Sequence, residues 1–336
     1  MDSLICFLIV SDDFQHNSIG VAMREYLKRN IWKFSVAKNY NDSIRISNLL
    51  VRKDGSLRPW NEFKREAMMV VGMSNRYLKT EYNTIVAAAQ MTRKWLEIQR
   101  DKHLFPYVKF MVTMDDHTSE VCSPLHGIIV EVDDPFLMYY FPPNHFSCRT
   151  DVIKLRNAEP TPQHLLPYID IPKAFLNNPG ETGEIFTEEN AYIKNTPKGI
   201  LDKFDDFYKI EFKEELKKQR LEIRDWAKDN IVGATTTHKN INGNILFTVK
   251  GIKEALNQPH KHILAKNNAI KDIVNLIKNG KYKGVTNHKG RKSHIIEVMI
   301  QNEKSWIIAN EYKGKGILFH SISDSDKVLT DIIKAF

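Results

Sequence analysis

Apolar and polar residues recur along this chain with different periods, and each period predicts a different kind of element. From about Ile19 to Arg100 the spacing is helical. Pro59-Trp60 leads into Asn61 to Val71, where apolar residues return at three- and four-residue steps, as an amphipathic helix requires. Tyr82 to Gln99 continues in kind, and Ile85, Val86, Ala89, Thr92 and Leu96 form a narrow seam suited to helix packing. Arg52-Lys53-Asp54-Gly55-Ser56 interrupts the pattern and reads as the turn of a helical hairpin. After Pro106 the period falls towards two, so Tyr107 to Thr113 and Ile128 to Val132 are predicted strands.

Residues 156–200 lose periodicity and carry Pro160, Pro162, Pro167, Pro172, Pro179 and Pro197, the composition of a linker or extended arm. Asp202 to Asp229 is dense in charge, with Phe204, Phe207, Tyr208, Ile210, Phe212, Leu216 and Leu221 interleaved, and reads as a solvated connecting helix. Pro259 is placed to begin a further helix, and Ile263, Leu264, Ala269, Ile270, Ile273, Val274 and Ile277 keep its period as far as Gly280. Ser293 to Gln301, Lys304 to Tyr312 and Gly316 to Ser323 predict an antiparallel meander, after which Asp324 would cap a last helix to Ala335. The fold class is therefore α+β, in three parts. Residues 1–155 form a helical hairpin with a small β unit, 156–245 a linker and charged helix, and 246–336 a small α+β domain.

A chain of 336 residues is long enough for two cores. The opening Leu4 to Val10 is apolar but too short to span a bilayer, lacks a basic residue ahead of it and is followed by no small-residue cleavage site. It reads as a packed first strand or helix turn, and no other window offers a membrane span. Three cysteines cannot make a secreted disulfide framework and suit a reducing compartment.

Charge changes the picture more. Of a net +8, residues 251–336 hold 15 Lys+Arg against 8 Asp+Glu, whereas the preceding 250 residues are nearly balanced. The basic character belongs to the C-terminal quarter, which points to a polyanionic partner, nucleic acid above all, or to a lysine-rich solvated surface.

Two clusters carry candidate chemistry. In the first, two of the three cysteines fall near histidines: Cys122 and His126, then His145 and Cys148. Together they would make a Cys2His2 set for tetrahedral structural zinc, although the separations are looser than a zinc finger's; the same residues would equally serve a metal-free turn network. In the second, His260, His262, His288, His294 and His320 stand among Lys261, Lys289, Arg291, Tyr312, Ser321 and Ser323. That is the inventory of a metal-independent ribonuclease, which needs a base for the 2′-hydroxyl, an acid for the leaving oxygen and cations at the phosphate. The favoured set is His260 or His262 at a helix start, Lys289 and Arg291 in a loop, and Tyr312 with His320 or Ser321 on adjacent strands. No phosphate loop or nucleophile elbow is present. By strand parity His294 shares a face with Ile296, Val298 and Ile300 while Glu297 points away, so those two are not an acid/base pair.

Residues from about Lys33 to Leu155 resemble the phage head-morphogenesis family, the Mu F-like minor head proteins. The resemblance rests on Phe34 to Lys38, Asn61-Glu62-Phe63, Thr80 to Asn83, Ala88 to Met91, Trp95, Leu125 to Ile128, Asp133 to Phe136, and Pro142-Pro143-Asn144 through Cys148-Arg149. It implies a helical region followed by a small β unit that ends in a proline-proline, cysteine-arginine signature, and a minor component associated with portal and capsid proteins during head assembly. Two positions depart from the pattern: His126 stands where a leucine-aspartate-glycine turn has its aspartate, and Thr150 stands where a second cysteine commonly follows. The last 86 residues also resemble barnase, EndoU, colicin and RelE-like nucleases, through Lys250 to His262 and Ile317 to Ile322. Domains of that type occur as C-terminal fusions to Mu F-like proteins. That resemblance implies a toxin-like RNA-cleaving effector that needs no metal, an immunity protein as a further partner, and residence in the virion and then the host cytoplasm. The alternative is a structural head protein whose basic domain contacts nucleic acid or portal without chemistry. An ADP-ribosyltransferase lacks its arginine, Ser-Thr-Ser and Glu-x-Glu series here.

Overall fold

The computed structural model describes residues 18–288, 291–301 and 303–329. It is α+β, and its two compact units have main bodies at Met23–Tyr208 and Lys209–Phe336.

The first unit begins with the predicted hairpin, α1 (Ser18–Asn48) and α2 (Trp60–Asp101), joined by a turn in which Val51 bridges Leu57. The buried stripe of α2 is Glu81, Thr84, Ala88, Met91, Thr92, Trp95 and Ile98, so only Thr92 of the predicted seam lies on it. Trp95 decides that rotation: its ring lies edge-on to Phe141 at 5.0 Å, and its indole N–H donates to Glu181 at 3.1 Å. Glu81 is tolerated inside because Lys38 on α1 donates to both its carboxylate oxygens, at 2.8 and 2.6 Å.

The β unit follows. β1 (Tyr107–Val112) is central between β2 (Ile129–Glu131) and β3 (Thr150–Leu155), antiparallel to both. Between β2 and β3 lies the short α3 (Phe136–Tyr140). β3 escapes sequence reading because Thr150 and Val152 are its only fully buried residues, too few to print an alternation.

The proline-rich segment is not a free linker. Ile169, Ile171 and Phe175 join the core of the β unit, and Ile185, Phe186 and Ile193 pack with Leu27, Ile31 and Phe34 of α1. Two one-turn helices, α4 (Pro179–Thr182) and α5 (Ala191–Lys194), are capped by Asn178 and Asn190. Asn30 stitches the segment to α1, donating to Phe186 O at 2.8 Å and accepting from the N–H groups of Ile185 and Phe186, each at 2.9 Å. Proline removed regular secondary structure without removing the apolar residues that need burial.

α6 (Lys198–Asn230) is longer than predicted, and its last turns are not solvated: Ile223 and Ala227 belong to the core of the second unit. β4 (Thr235–Thr236), β5 (Ile245–Leu246) and α7 (Val249–Asn257) follow, then α8 (Ile263–Asn268), a 3-10 turn at Ala269–Asp272 and α9 (Ile273–Asn279). The sheet adds β6 (Lys281–His288), β7 (Arg291–Ile300), β8 (Glu303–Tyr312) and β9 (Gly316–Ser323), in the order β4-β5-β9-β8-β7-β6. The predicted three-stranded meander is its β7-β8-β9 portion, and β5 pairs in parallel with β9. β6 was missed because a polar edge strand with a register shift between Tyr282 and Gly284 lacks clean alternation.

Two further boundaries differ. The helix expected from Pro259 starts at Ile263, because His262 is non-helical at φ −109°, ψ 65° and its N–H turns back to His260 Nδ1 at 2.9 Å. Asp324 caps no helix within the described residues; it accepts from Lys261 N–H at 2.6 Å, ahead of a 3-10 turn at Asp326–Leu329. The expectations for Leu4 to Val10 and for a helix running to Ala335 fall, wholly or in their last turns, outside the described residues.

α7 lies against β9 with no space between them at Gly251, where an added Cβ would stand 2.1 Å from Phe319 O.

Candidate functional sites

The turns of the first unit's β unit bring three of the four cysteine and histidine candidates together. Cys122 ends the loop after β1, with Ser123–Leu125 forming a 3-10 turn behind it. His145 and Cys148 flank a tight turn closed by Cys148 N–H to His145 O at 3.3 Å, with Ser147 in the left-handed region at φ 57°. The Pro142–Pro143 peptide just before it is cis. The outcome is a cluster in which Cys122, His145 and Cys148 each present a ligand atom within 4.8 Å of the others. The two sulfurs are 3.6 Å apart and both cysteines are free.

His126 is not part of it. Its Nδ1 sits against the Val112 backbone, 3.2 Å from the N–H and 3.1 Å from the carbonyl, and the residue is exposed. The Leu125-His126-Gly127 turn, with Gly127 at φ 82°, directs the ring to β1.

The cluster is half-buried, with Cys122 at its inner end, and it is short of partners. Cys122 is 2% exposed. His145 Nδ1 is 2.7 Å from Phe146 O, whereas Nε2 is buried without a partner, and so is Asn144 Oδ1. Within the thiol pair a hydrogen bond from Cys122 holds Cys148 down at about 5, helped by the backbone N–H groups of Asn144 and Thr150; burial opposes this. The same contact, with burial, pushes Cys122 well above the ordinary thiol range. At the mouth of these loops Arg149 grips Asp115 with two hydrogen bonds of 2.6 Å, and that guanidinium holds the Asp115 carboxyl well below the usual range. The Asp115–Arg149 clamp had no local sequence signal, since 34 residues separate its members.

In the second unit the candidate ribonuclease residues are spread over the sheet. His260 and His262 lie together in the loop after α7, ring centroids 6.3 Å apart, with His260 Nε2 3.0 Å from Ser305 Oγ. Burial pushes His260 down to about 4 and lowers His262 as well. Lys261 pairs with Glu303 beside them. Tyr312 is at the far end of β8, opposite Gly316, and Ser321 faces Ile308. His320 stands at the register shift of β9. Arg291 opens β7, and Lys289 lies outside the described residues. The loop pair is the part of the set that the fold gathers.

A different group does converge there. His294 on β7 is 2.9 Å from Tyr282 OH through Nδ1 and 2.9 Å from Glu311 Oε1 through Nε2. His294 pairs with Ala309, so Glu311 is its same-face diagonal neighbour on β8, and Glu297 points away as parity required. Only the β7–β8 register reveals this partner. Buried beside α7, Lys266 donates to Leu256 O at 3.3 Å, Gln258 O at 2.9 Å and Ala255 O; its burial lowers it to about 7.

The β unit with its two-cysteine loop and the hairpin before it can be set against known proteins. Residues 36–153 match the family model described as "Phage Mu protein F like protein". This Mu F-like segment is also 29% identical over 136 residues to "Putative capsid assembly protein F" of Escherichia phage Mu, an alignment covering 37% of this chain and 30% of that protein. The chain therefore spans about a third of its relative's length. Residues 214–318, most of the second unit, match a different family model, described as "Large polyvalent protein-associated domain 3". No solved structure matches. Among the described residues no helix is long and apolar enough to cross a membrane.

Proposed function

We propose that this protein works in phage head assembly, as a minor component of the virion that contacts portal and capsid proteins through its Mu F-like segment. The observation that carries this reading is the match over residues 36–153, which runs from within α1 through α2 and the β unit into β3 rather than resting on an isolated motif. The similarity to a capsid assembly protein of phage Mu supports the same direction. Its test is co-assembly: the full chain, expressed with the capsid and portal proteins of its own phage or prophage, should co-sediment with the particles formed. A chain that stays at the top of the gradient while particles form would refute the reading.

A second, finer reading concerns the second unit: metal-independent RNA cleavage in the host cytoplasm, with an immunity protein as partner. What supports it is the charge concentrated in residues 251–336 and the His260/His262 pair beside Lys261. Burial lowers both histidines, His260 to about 4, which favours the neutral imidazole that a general base needs. Full chain incubated with RNA in EDTA, beside a His262→Ala/His320→Ala variant, decides it. Cleavage lost in the variant supports the enzyme, and binding without cleavage leaves a structural domain that contacts nucleic acid or portal.

A further inference from the structure

The three-residue cluster in the β unit has the donor set, the spacing and the orphaned polar atoms of a metal site. A zinc ion bound to two thiolates at about 2.3 Å in tetrahedral geometry holds its sulfurs roughly 3.7 Å apart. Cys122 and Cys148 stand 3.6 Å apart, far outside disulfide bonding, and the His145 ligand nitrogen lies within 4.8 Å of both. His145 is also prepared as a ligand. With Nδ1–H donating to Phe146 O, the Nε2 lone pair is left free, and that nitrogen is buried with nothing to accept from. A carbonyl that fixes the tautomer of a metal-binding imidazole is the usual outer-shell arrangement.

We propose that Cys122, His145 and Cys148 bind one zinc ion, with water as fourth ligand and His126 excluded. The site ties the loop after β1 to the turn before β3, so zinc staples the two connections of a sheet only three strands wide. Soft thiolates with an imidazole select zinc over magnesium or calcium, which take oxygen ligands. Asn144 Oδ1, buried without a partner, supplies an acceptor for the bound water, and the Thr150 side chain hydrogen-bonds the thiol pair. Thr150 thus takes up, as a hydrogen-bonding residue, the position where the Mu F-like pattern commonly has a cysteine. The proposal is independent of head assembly, since it is read from metal content and not from particles.

The test uses full-length protein produced in zinc-supplemented medium, purified without chelator, with zinc measured by elemental analysis and free thiols by titration. Wild type and His126→Ala should each carry about one zinc per chain. His145→Ala and Cys148→Ser should carry less than about a tenth of that, since removing one of three ligands leaves two. His145→Cys separates ligand loss from misfolding: a thiolate in place of the imidazole keeps the donor count and should retain zinc. Zinc-free wild type whose circular dichroism is unchanged by chelator would overturn the proposal. So would loss of zinc in His126→Ala to the same extent as in His145→Ala, or a thiol count showing Cys122 and Cys148 joined as a disulfide.

Discussion

Replacing Gly251 by alanine sets two effects of opposite sign against each other. By helix propensity, glycine to alanine inside α7 should stabilise by roughly 1 kcal/mol. Packing opposes this, because the new methyl would stand 2.1 Å from Phe319 O on β9, where real Cβ contacts do not fall under 3.0 Å. The obstacle is sheet backbone, so α7 must move away by roughly 1 Å, enough to forfeit a quarter to a half of the dispersion well of contacts across the gap. Ile252 and Leu256, at 1% and 2% exposure, are the large side chains that α7 buries there, each worth roughly 1.5–3 kcal/mol. Losing about a third of that, plus the backbone overlap, costs roughly 2–4 kcal/mol. The expected net destabilisation is ~1–3 kcal/mol after the propensity gain. Gly72 provides the control: it is exposed in α2 with no atom within 4 Å of its would-be Cβ, so Gly72→Ala should stabilise by about 1 kcal/mol. Hydrogen exchange read by mass spectrometry on the full chain reports each unit separately. Gly251→Ala should speed exchange in α7 and β9 by about 5- to 150-fold, while Gly72→Ala slows it in α2. Unchanged or increased protection of β9 in Gly251→Ala would refute the close-packing argument.

Three other outcomes follow from the same geometry. Lys38→Met strands Glu81 inside the first unit and should cost roughly 3–5 kcal/mol, whereas Lys38→Met/Glu81→Leu should fall within about 1 kcal/mol of wild type; a double variant as unstable as the single would sink the pairing argument. Lys266→Met leaves backbone carbonyls at the end of α7 without their donor and should destabilise the second unit by about 2–4 kcal/mol, measured by urea unfolding, where a stabilised variant would mean that desolvation of the ammonium dominates. His260, faced by Asp324, Lys266 and His262, has its folded pKa depressed to about 4 by burial, so the unfolded chain takes up its proton first as pH falls. Stability should therefore be fully retained above about pH 6.5 and drop as pH falls from there towards pH 4. His260→Gln should flatten that slope in a melting series, and an unchanged slope would place the acid sensitivity elsewhere.

The hairpin, the first two strands of the β unit and the β7-β8-β9 meander were legible because their burial is periodic within a dozen residues. β3, β4, β5 and β6 were not, since short or edge strands lack enough buried positions to print a pattern. The proline-rich segment misled for a related reason. Composition reports the prolines that interrupt long elements there, but not that the core of the β unit receives Ile169 and Phe175 while α1 and Asn30 receive Phe186. At the candidate sites, residue types were visible and partnerships were not. The donors of Cys122, His126, His145 and Cys148 are visible in the sequence; only the folded turns show that His126 sits on β1 instead.

The sequence by itself determined which residue types are on offer for chemistry, the concentration of charge in the last quarter, and a resemblance to Mu F-like proteins made of local turns and dispersed helix positions. Tertiary structure alone decided which of those residues meet. The Cys122–Cys148 pair spans 26 residues, and the contact of His294 with Glu311 spans 17. Contacts at such separations depend on strand register and helix rotation, which are set by how whole faces pack and not by the local order of residues.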